Sequence, residues 1–358
     1  MRIGLVTYWF NRGQGTIGRR LRGILDGLGH ETFVLARPTK ATFHRPAHVE
    51  GGDVWDQTGV TRASRFQIPA EEYVRWADEH ALDAVFCFQN YQFDALARLR
   101  ERGVRTIGAY MWEAFGREHV DGARRACDTV YALTRCEQER YRGFGIDAPF
   151  VPWGCDPDLM RFRVSPRDRE EVTFFFPGGY LSRRKPLREA VEAFSAVADD
   201  RLRLIVKTQG TQQGLPGAPA MVGDRPRVTV VDGDLPIGEH LALMASADVV
   251  LAPSRWEGLG LHLYEAAALG LPVITNDVPP MNEPVRHEDN GLLVASVPVE
   301  PAPSGIPAYD PEPASLAAAI QRLAEPELRE RLAQGAVRAS TGRLSWDHTI
   351  AGVQALVA

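Results

Sequence analysis

The sequence predicts an α/β protein built from two Rossmann-like domains, each with its own parallel sheet. Three observations carry that expectation. Short apolar runs alternate with helical patterns along the chain. The rhythm breaks and restarts around Val151-Pro-Trp-Gly-Cys-Asp-Pro157, a turn-rich stretch that reads as a linker. The 358 residues, 44% of them hydrophobic, are enough for two cores at about 100–200 residues per domain.

In the first half, strands are expected at Ile3 to Thr7, Thr32 to Ala36, Ala84 to Phe88, Val104 to Ala109 and Thr129 to Leu133. Helices are expected at Thr16 to Leu28, Glu71 to His80 and Phe93 to Arg100. In the second half, strands fall at Thr173 to Phe176, Leu202 to Val206, Val228 to Val231, Val249 to Ala252, Pro272 to Thr275 and Leu292 to Val294. Helices fall at Pro186 to Val197, His240 to Ala245 and Gly260 to Leu269. Gln212 to Arg227 and Val297 to Pro313 are rich in Pro and Gly and read as surface loops. The domains expected are 1–150, 151–342 and a C-terminal helix within 343–358 that is free to return to the first domain. Ligands of parallel sheets bind beyond the carboxyl ends of the strands, which are expected to face an interdomain cleft.

Composition excludes several classes. The net charge of −5, from 41 basic and 46 acidic residues, argues against a nucleic-acid partner. No apolar run approaches the roughly 20 residues that span a bilayer. The N-terminus lacks a signal-peptide pattern. The four cysteines, Cys87, Cys127, Cys136 and Cys155, form no C-x-x-C pair, and the nine histidines are scattered. Neither a metal nor a redox cofactor is therefore expected, and a reducing cytoplasm is the expected compartment. Only Lys40, Lys185 and Lys207 are lysines, so each is an unusual choice in this chain. No feature of the sequence sets an oligomeric state.

The most informative segment runs from Ala247 to Asn276. A strand ends at Pro253, a loop carries Glu257, Gly258 and Gly260, and a helix opens near Gly260 and stops at Gly270. A helix start exposes backbone N–H groups and a partial positive charge, and glycines let that backbone approach an anion closely. Glu257 and Glu265 lie eight positions apart, so with Glu257 in the loop they can reach different parts of one extended ligand. Carboxylates accept hydrogen bonds from sugar or ribose hydroxyls. A hydroxylated ligand with a diphosphate at its centre satisfies both acids and amides, although Glu265 alone is equally compatible with a solvated helix position. Upstream, a strand runs into Gly178-Gly179 and then Arg183-Arg184-Lys185. Cations at a strand's carboxyl end neutralise a diphosphate leaving group. Lys185 and Lys207 both fall at or just past strand ends, and a basic surface turn is the competing reading for each.

These residues carry a family resemblance. The run Ser254-x-Trp-Glu-Gly-x-Gly-x-x-x-x-Glu-Ala-x-Ala-x-Gly-x-Pro-Val273 resembles the motif of two glutamates separated by seven residues in retaining GT-B glycosyltransferases of the family four type, the group 1 glycosyl transferases. Gly179 to Lys185, Ala245 to Ser254, Glu283, Asn290 to Val294 and the linker Val151 to Pro157 resemble further parts of that family. The resemblance is strong over about residues 173–294 and implies the GT-B fold. It implies a glycosyltransferase that moves a sugar from a nucleotide-diphosphate donor to a small-molecule or lipid-linked acceptor, with retention of anomeric configuration. It further implies that Glu257 contacts donor hydroxyls and Glu265 the ribose, that Gly258, Leu259 and Gly260 offer amides, and that Lys185 holds the diphosphate.

Two departures stand out. Tyr180 occupies the place of the family's turn arginine, leaving Arg183 or Arg184 to substitute. Tyr110-Met-Trp-Glu113 lacks the histidine that the family often has after that strand, so Trp112 or Glu113 stands there instead. Glu113 reads as a catalytic carboxylate or as a buried helix-start residue.

In the first half, Gly13-Gln-Gly15-Thr-Ile-Gly18 spells G-x-G-x-x-G, and Arg37 ends the second strand where an NADP 2′-phosphate could sit. Residues 8–12 separate the first glycine from its strand, which speaks against an NADP oxidoreductase. Gly13 and Gly15 can instead bring backbone to a donor phosphate or to the acceptor. Asp156-Pro-Asp158 and Asp232-Gly-Asp234 are short D-x-D matches in a linker and a turn and indicate no metal. His262 reads as packed. A nucleotide-sugar epimerase or hydrolase, and a binding protein without turnover, are the alternatives to a transferase.

Overall fold

A computed structural model describes residues 1–40, 47–164 and 170–358. It divides into two compact units, Met1–Pro152 with Asp347–Ala358, and Trp153–Trp346.

The first unit runs β1 (Arg2–Tyr8), α1 (Gly13–Gly27), β2 (Glu31–Arg37), β3 (Val60–Arg62), α2 (Ala70–Glu79), β4 (Ala84–Phe88), α3 (Phe93–Glu101), β5 (Arg105–Ala109), α4 (Val120–Ala126), β6 (Thr129–Val130) and α5 (Arg135–Gly143). The second runs α6 (Pro157–Met160), β7 (Val172–Leu181), α7 (Leu187–Ala196), β8 (Leu202–Thr211), α8 (Ala218–Val222), β9 (Val228–Val231), α9 (Ile237–Ala245), β10 (Val249–Leu251), α10 (Leu261–Leu269), β11 (Val273–Asn276), β12 (Gly291–Val294), β13 (Ser296–Val299), β14 (Ala308–Pro311), α11 (Pro313–Ala324) and α12 (Pro326–Thr341). The last helix is α13 (Trp346–Val357).

Each unit is built on a six-stranded sheet, ordered β3-β2-β1-β4-β5-β6 in the first and β12-β11-β10-β7-β8-β9 in the second. All pairings within them are parallel. In both sheets the order reverses beside the first central strand, so two connections diverge there and leave room beyond the strand ends.

Period-two side-chain alternation explains why helices cover both faces. In β7, Val172, Phe174 and Phe176 pack with Ala190, Val191 and Phe194 of α7 and Leu316 and Ile320 of α11. Phe175 points the other way, onto Met244, Leu263 and Ala266 of α9 and α10. Phe174 and Phe194 meet edge to face at 5.8 Å. The first unit has a comparable core of Val6, Leu35, Tyr73, Trp76, Leu96 and Leu99.

α13 is held within the first unit. Thr349 donates to the Pro152 carbonyl at 2.9 Å, and Arg105 donates to the Ala358 carbonyl at 3.2 Å.

Two expected loops are corrected. Gln212 to Arg227 contains α8. Val297 to Pro313 is largely the antiparallel hairpin β13–β14, paired from Ser296–Pro311 to Val299–Ala308. A two-stranded ribbon leaves half its backbone groups outside the ladder, so Pro298 and Pro311 fit without losing a ladder donor that the pair requires. Among the described residues, no helix is long and apolar enough to cross a membrane.

Candidate active site

The site of the second unit is assembled from three strand ends. β7 runs on through Gly178 and Gly179 to Leu181 before the chain turns at Ser182 to Lys185 into α7. β10 ends at Leu251, and the loop Ala252 to Gly260 leads to α10. β11 ends on Asn276.

Glu257 is the centre of this arrangement and is 3% exposed. Lys185 Nζ donates to its Oε1 at 2.6 Å, and Ser254 Oγ donates to the same oxygen at 2.8 Å. Arg184 Nη1 donates to Oε2 at 2.9 Å. Lys185 also reaches Ser254 Oγ at 2.9 Å. Burial alone would raise the Glu257 pKa, but the charges of Arg184 and Lys185 outweigh it and hold the carboxyl well below the usual range. The ionised acid and its cations are thus mutually dependent.

The head of α10 completes the site. Gly260 caps it with φ +76°, a left-handed conformation that favours glycine, and no side chain caps the helix. The loop backbone at Gly258, Leu259 and Gly260 is buried against this helix start. His262, in the first turn, brings Nε2 to 3.9 Å from Glu257 Oε1, with its side chain 13% exposed. Burial, reinforced by Lys185, pushes its pKa down to about 3, so the imidazole is neutral near pH 7. Glu265 lies further along α10 and is half-buried.

Of the two arginines that could take the place of the family's turn arginine, Arg184 is the one that meets Glu257. Arg183 Nη2 instead pairs with Glu300 at 2.7 Å, with both side chains exposed. Lys207 is buried within β8. Its ammonium donates to the Thr208 carbonyl at 2.6 Å and to the Gly233 carbonyl, tying β8 to the turn after β9. Asp232 of the expected D-x-D decoy accepts from Thr208 Oγ1 at 2.5 Å. Among the described residues, no cluster of three His, Cys, Asp or Glu side chains could hold a metal.

Gly13, Gly15 and Glu113 belong to the first unit. α1 opens at Gly13, and a Cβ on Gly15 would stand 2.2 Å from the Phe10 carbonyl oxygen. A Cβ on Gly18 would stand 2.4 Å from Thr7 Oγ1, so the second and third glycines of the G-x-G-x-x-G pattern serve close packing of α1 on β1 and its loop. Arg37 is buried, donates to the carbonyls of Phe66 and Gln89, and lies 4.4 Å from the Phe66 ring centroid. Glu113 is in the turn after β5 and half-buried. The adjacent Trp112 N–H donates to Glu137 Oε1 at 3.1 Å, and the Leu133 N–H donates to Glu137 Oε2 at 2.7 Å. Glu137 is fully buried and shapes the turn that carries Glu113, a role the expectations above do not contain. Its signal in the sequence is the Thr134-x-x-Glu137 spacing of a capping box. The Thr134 side chain indeed accepts from the Glu137 N–H, at 3.2 Å.

Residues 171–325 match the family model described as Glycosyl transferases group 1. Over 154 residues the chain is 31% identical to the D-inositol 3-phosphate glycosyltransferase of Acidothermus cellulolyticus, which covers 43% of this chain and 28% of that protein. It is 30% identical over 216 residues to the glycogen synthase of Mycobacterium tuberculosis, covering 60% and 46%. The chain thus spans less than half the length of these curated relatives. Among solved structures, the sucrose-phosphate synthase of Thermosynechococcus elongatus matches with a TM-score of 0.76 at 19% identity, covering 100% of this chain and 98% of that one. HepE of Anabaena, solved in complex with UDP and glucose, matches with 0.73 at 17% identity, covering 100% and 98%. The two parallel sheets and these structural likenesses establish the GT-B fold. Residues 171–325 of the second unit are thus similar to the group 1 glycosyl transferases, and glycosyltransferases are among the curated proteins the chain resembles.

Proposed function

We propose that the protein transfers a sugar from a nucleoside-diphosphate sugar to a hydroxyl of a small-molecule or lipid-linked acceptor, with retention at the anomeric carbon. The observation that supports this best is the meeting of Arg184 and Lys185 with Glu257 at the uncapped head of α10. Cations and helix amides in one place suit a diphosphate, and a buried ionised carboxylate suits sugar hydroxyls.

In the reaction, the bond between the anomeric carbon and the donor phosphate breaks, and a bond to the acceptor oxygen forms. The acceptor proton passes to the departing diphosphate, so no separate side-chain base is required. Charge developing on that diphosphate is met by Arg184, Lys185 and the amides of Gly258, Leu259 and Gly260. Glu257 orients the sugar, and Glu265 takes the ribose hydroxyls. Glu113 is read as a carboxylate on the acceptor-side unit, and Gly13 and Gly15 as close backbone for donor or acceptor. Lys207, held by two carbonyls, is read as fixing the β8–β9 turn. The side-chain cations do what a divalent metal does in other transferases, so transfer needs neither metal nor cofactor. A cytoplasmic location suits a soluble nucleotide-sugar donor.

HepE was solved with UDP-glucose, which makes a uridine diphosphate sugar the first donor to try. The test is a thermal-shift screen of UDP-, GDP- and ADP-sugars, followed by turnover with and without acceptor alcohols. A ligand at about a hundredfold excess over Kd adds about 2.7 kcal/mol of apparent stability. Stabilisation by one nucleotide series and acceptor-dependent release of its diphosphate support the proposal. Release of free sugar at the same rate without acceptor points to a hydrolase and contradicts it.

A further inference from the structure

The hairpin β13–β14, which the sequence presents only as a proline-rich stretch, is bonded to the loop that carries Glu257. The Tyr309 N–H donates to the Arg255 carbonyl at 3.0 Å. The Tyr309 carbonyl accepts from Asn276 Nδ2 at 3.0 Å, and the same nitrogen donates to the Ser254 carbonyl at 3.0 Å. Arg255 joins this hairpin to the cationic turn. Its N–H donates to the Arg184 carbonyl at 2.9 Å, and Nη1 donates to the Arg183 carbonyl at 2.7 Å. Nη2 donates to Glu189 of α7 at 2.6 Å, and Nε pairs with Asp310 of β14 at 2.5 Å. The side chain is only 18% exposed, so these contacts hold it in one pose.

We infer that Arg255 is a positioning residue of the donor site, and that the hairpin is the brace that keeps it in place through Asp310. A guanidinium presents five N–H groups in a rigid fork, and here it spans one carbonyl and two carboxylates, while the Arg255 backbone N–H takes the second carbonyl. The turn that aims Arg184 and Lys185 and the loop that carries Glu257 come from different strands. Through Arg255 they move as one piece. Arg255 acts through those residues and needs no contact of its own with the donor.

The inference rests on the nucleoside-diphosphate reading, and the test separates the two. Affinities of a nucleoside diphosphate and of the matching monophosphate are measured by calorimetry for the wild-type protein, Arg255→Met, Arg255→Lys and Asp310→Asn. General damage to the unit weakens both ligands alike. A misaimed Arg184–Lys185 turn weakens the diphosphate selectively, because charge-assisted contacts to phosphate depend on geometry. Arg255→Met is expected to lower the diphosphate-to-monophosphate affinity ratio by about tenfold, with partial recovery in Arg255→Lys. Asp310→Asn, on the hairpin itself, is expected to lower it by about threefold. Ratios within about twofold of wild type in both Arg255→Met and Asp310→Asn overturn the inference. Should Arg255→Met fail to fold, an unchanged ratio in Asp310→Asn overturns it alone. Absence of any nucleoside-diphosphate binding by the wild-type protein overturns the donor reading, and this inference with it.

Discussion

Glu257 and Glu137 are buried glutamates, one in each unit, and their surroundings differ in kind. Glu257 takes Lys185, Arg184 and the Ser254 hydroxyl. Glu137 takes the backbone N–H groups of Trp112 and Leu133. Both arrangements offset the cost of removing a carboxylate from water. They differ in what can be rearranged. Side-chain cations on long stems can be shared with an arriving phosphate, whereas backbone N–H groups cannot be given up without undoing the turn they belong to. Under the proposed function, this difference makes Glu257 the reactive glutamate and Glu137 the architectural one.

That contrast can be broken at its strongest point first. Glu257→Gln keeps the volume but removes the charge that Arg184 and Lys185 face. Transfer is expected to fall by about a hundredfold or more, read as nucleoside diphosphate released per minute. Glu257→Ala is expected to abolish transfer as well. It also strands buried Lys185, and breaking such a pair costs about 3–5 kcal/mol, which urea titration reads directly. Near-normal turnover in either variant would defeat the assignment.

Glu137→Ala leaves two buried N–H groups without their acceptor. It is expected to destabilise the first unit by about 1–3 kcal/mol in denaturant unfolding. Nucleotide affinity of the second unit is expected to stay near wild type in the same variant. A large loss of nucleotide binding with no loss of stability would reverse the roles of the two glutamates.

Acid should act mainly on the second unit. Glu257 has a depressed folded pKa, so its contribution is present above the unfolded carboxyl value near 4.5 and is lost as pH falls through the folded one. His262 adds an earlier loss. Its pKa falls from 6.5 to about 3 on folding, chiefly by burial. Below about pH 6.5 the unfolded chain therefore binds the proton first and stability declines as pH drops towards 3. His240, pushed down to about 4 by burial and then by Lys207, acts in the same direction. Melting curves from about pH 7 to about pH 5 should show falling stability, with a shallower slope in His262→Gln. An unchanged slope would mean that His262 binds its proton equally well in the folded and unfolded protein.

The smallest effect expected is that of a chelator. Transfer after EDTA treatment should stay within about twofold of the untreated rate if, as proposed, Arg184 and Lys185 carry the charge that a metal would otherwise supply. Loss of activity that magnesium or manganese restores would contradict this.

The candidate site of the second unit is legible in the sequence because its residues are contiguous. Strand end, Gly loop, Glu257, helix start and Glu265 occupy one run, and α10 forms over Leu261–Leu269 as its spacing predicts. Which of two neighbouring arginines faces Glu257 is not legible. Two adjacent arginines follow the Gly178-Gly179 turn, and only the folded turn shows that Arg184 meets Glu257 while Arg183 pairs with Glu300. The Arg255 junction is hidden for another reason. Its partners Glu189 and Asp310 are brought to it by tertiary packing, and prolines disguise the hairpin that carries one of them. In the first unit the G-x-G-x-x-G run looks like a ligand loop, yet Gly15 and Gly18 answer to the crowding of Phe10 and Thr7. Glu137 was within reach of the capping-box spacing, but its acceptance of the Trp112 N–H, 25 positions away, was not.

The most direct measurement is the crystal structure of the protein soaked with the nucleotide sugar that it binds. The diphosphate is expected on the N–H groups at the head of α10, within hydrogen-bond reach of Arg184 and Lys185, with a sugar hydroxyl on Glu257. A donor bound with its phosphates away from α10, and with Glu257 still enclosed by its two cations and touching no ligand atom, would contradict the assignment.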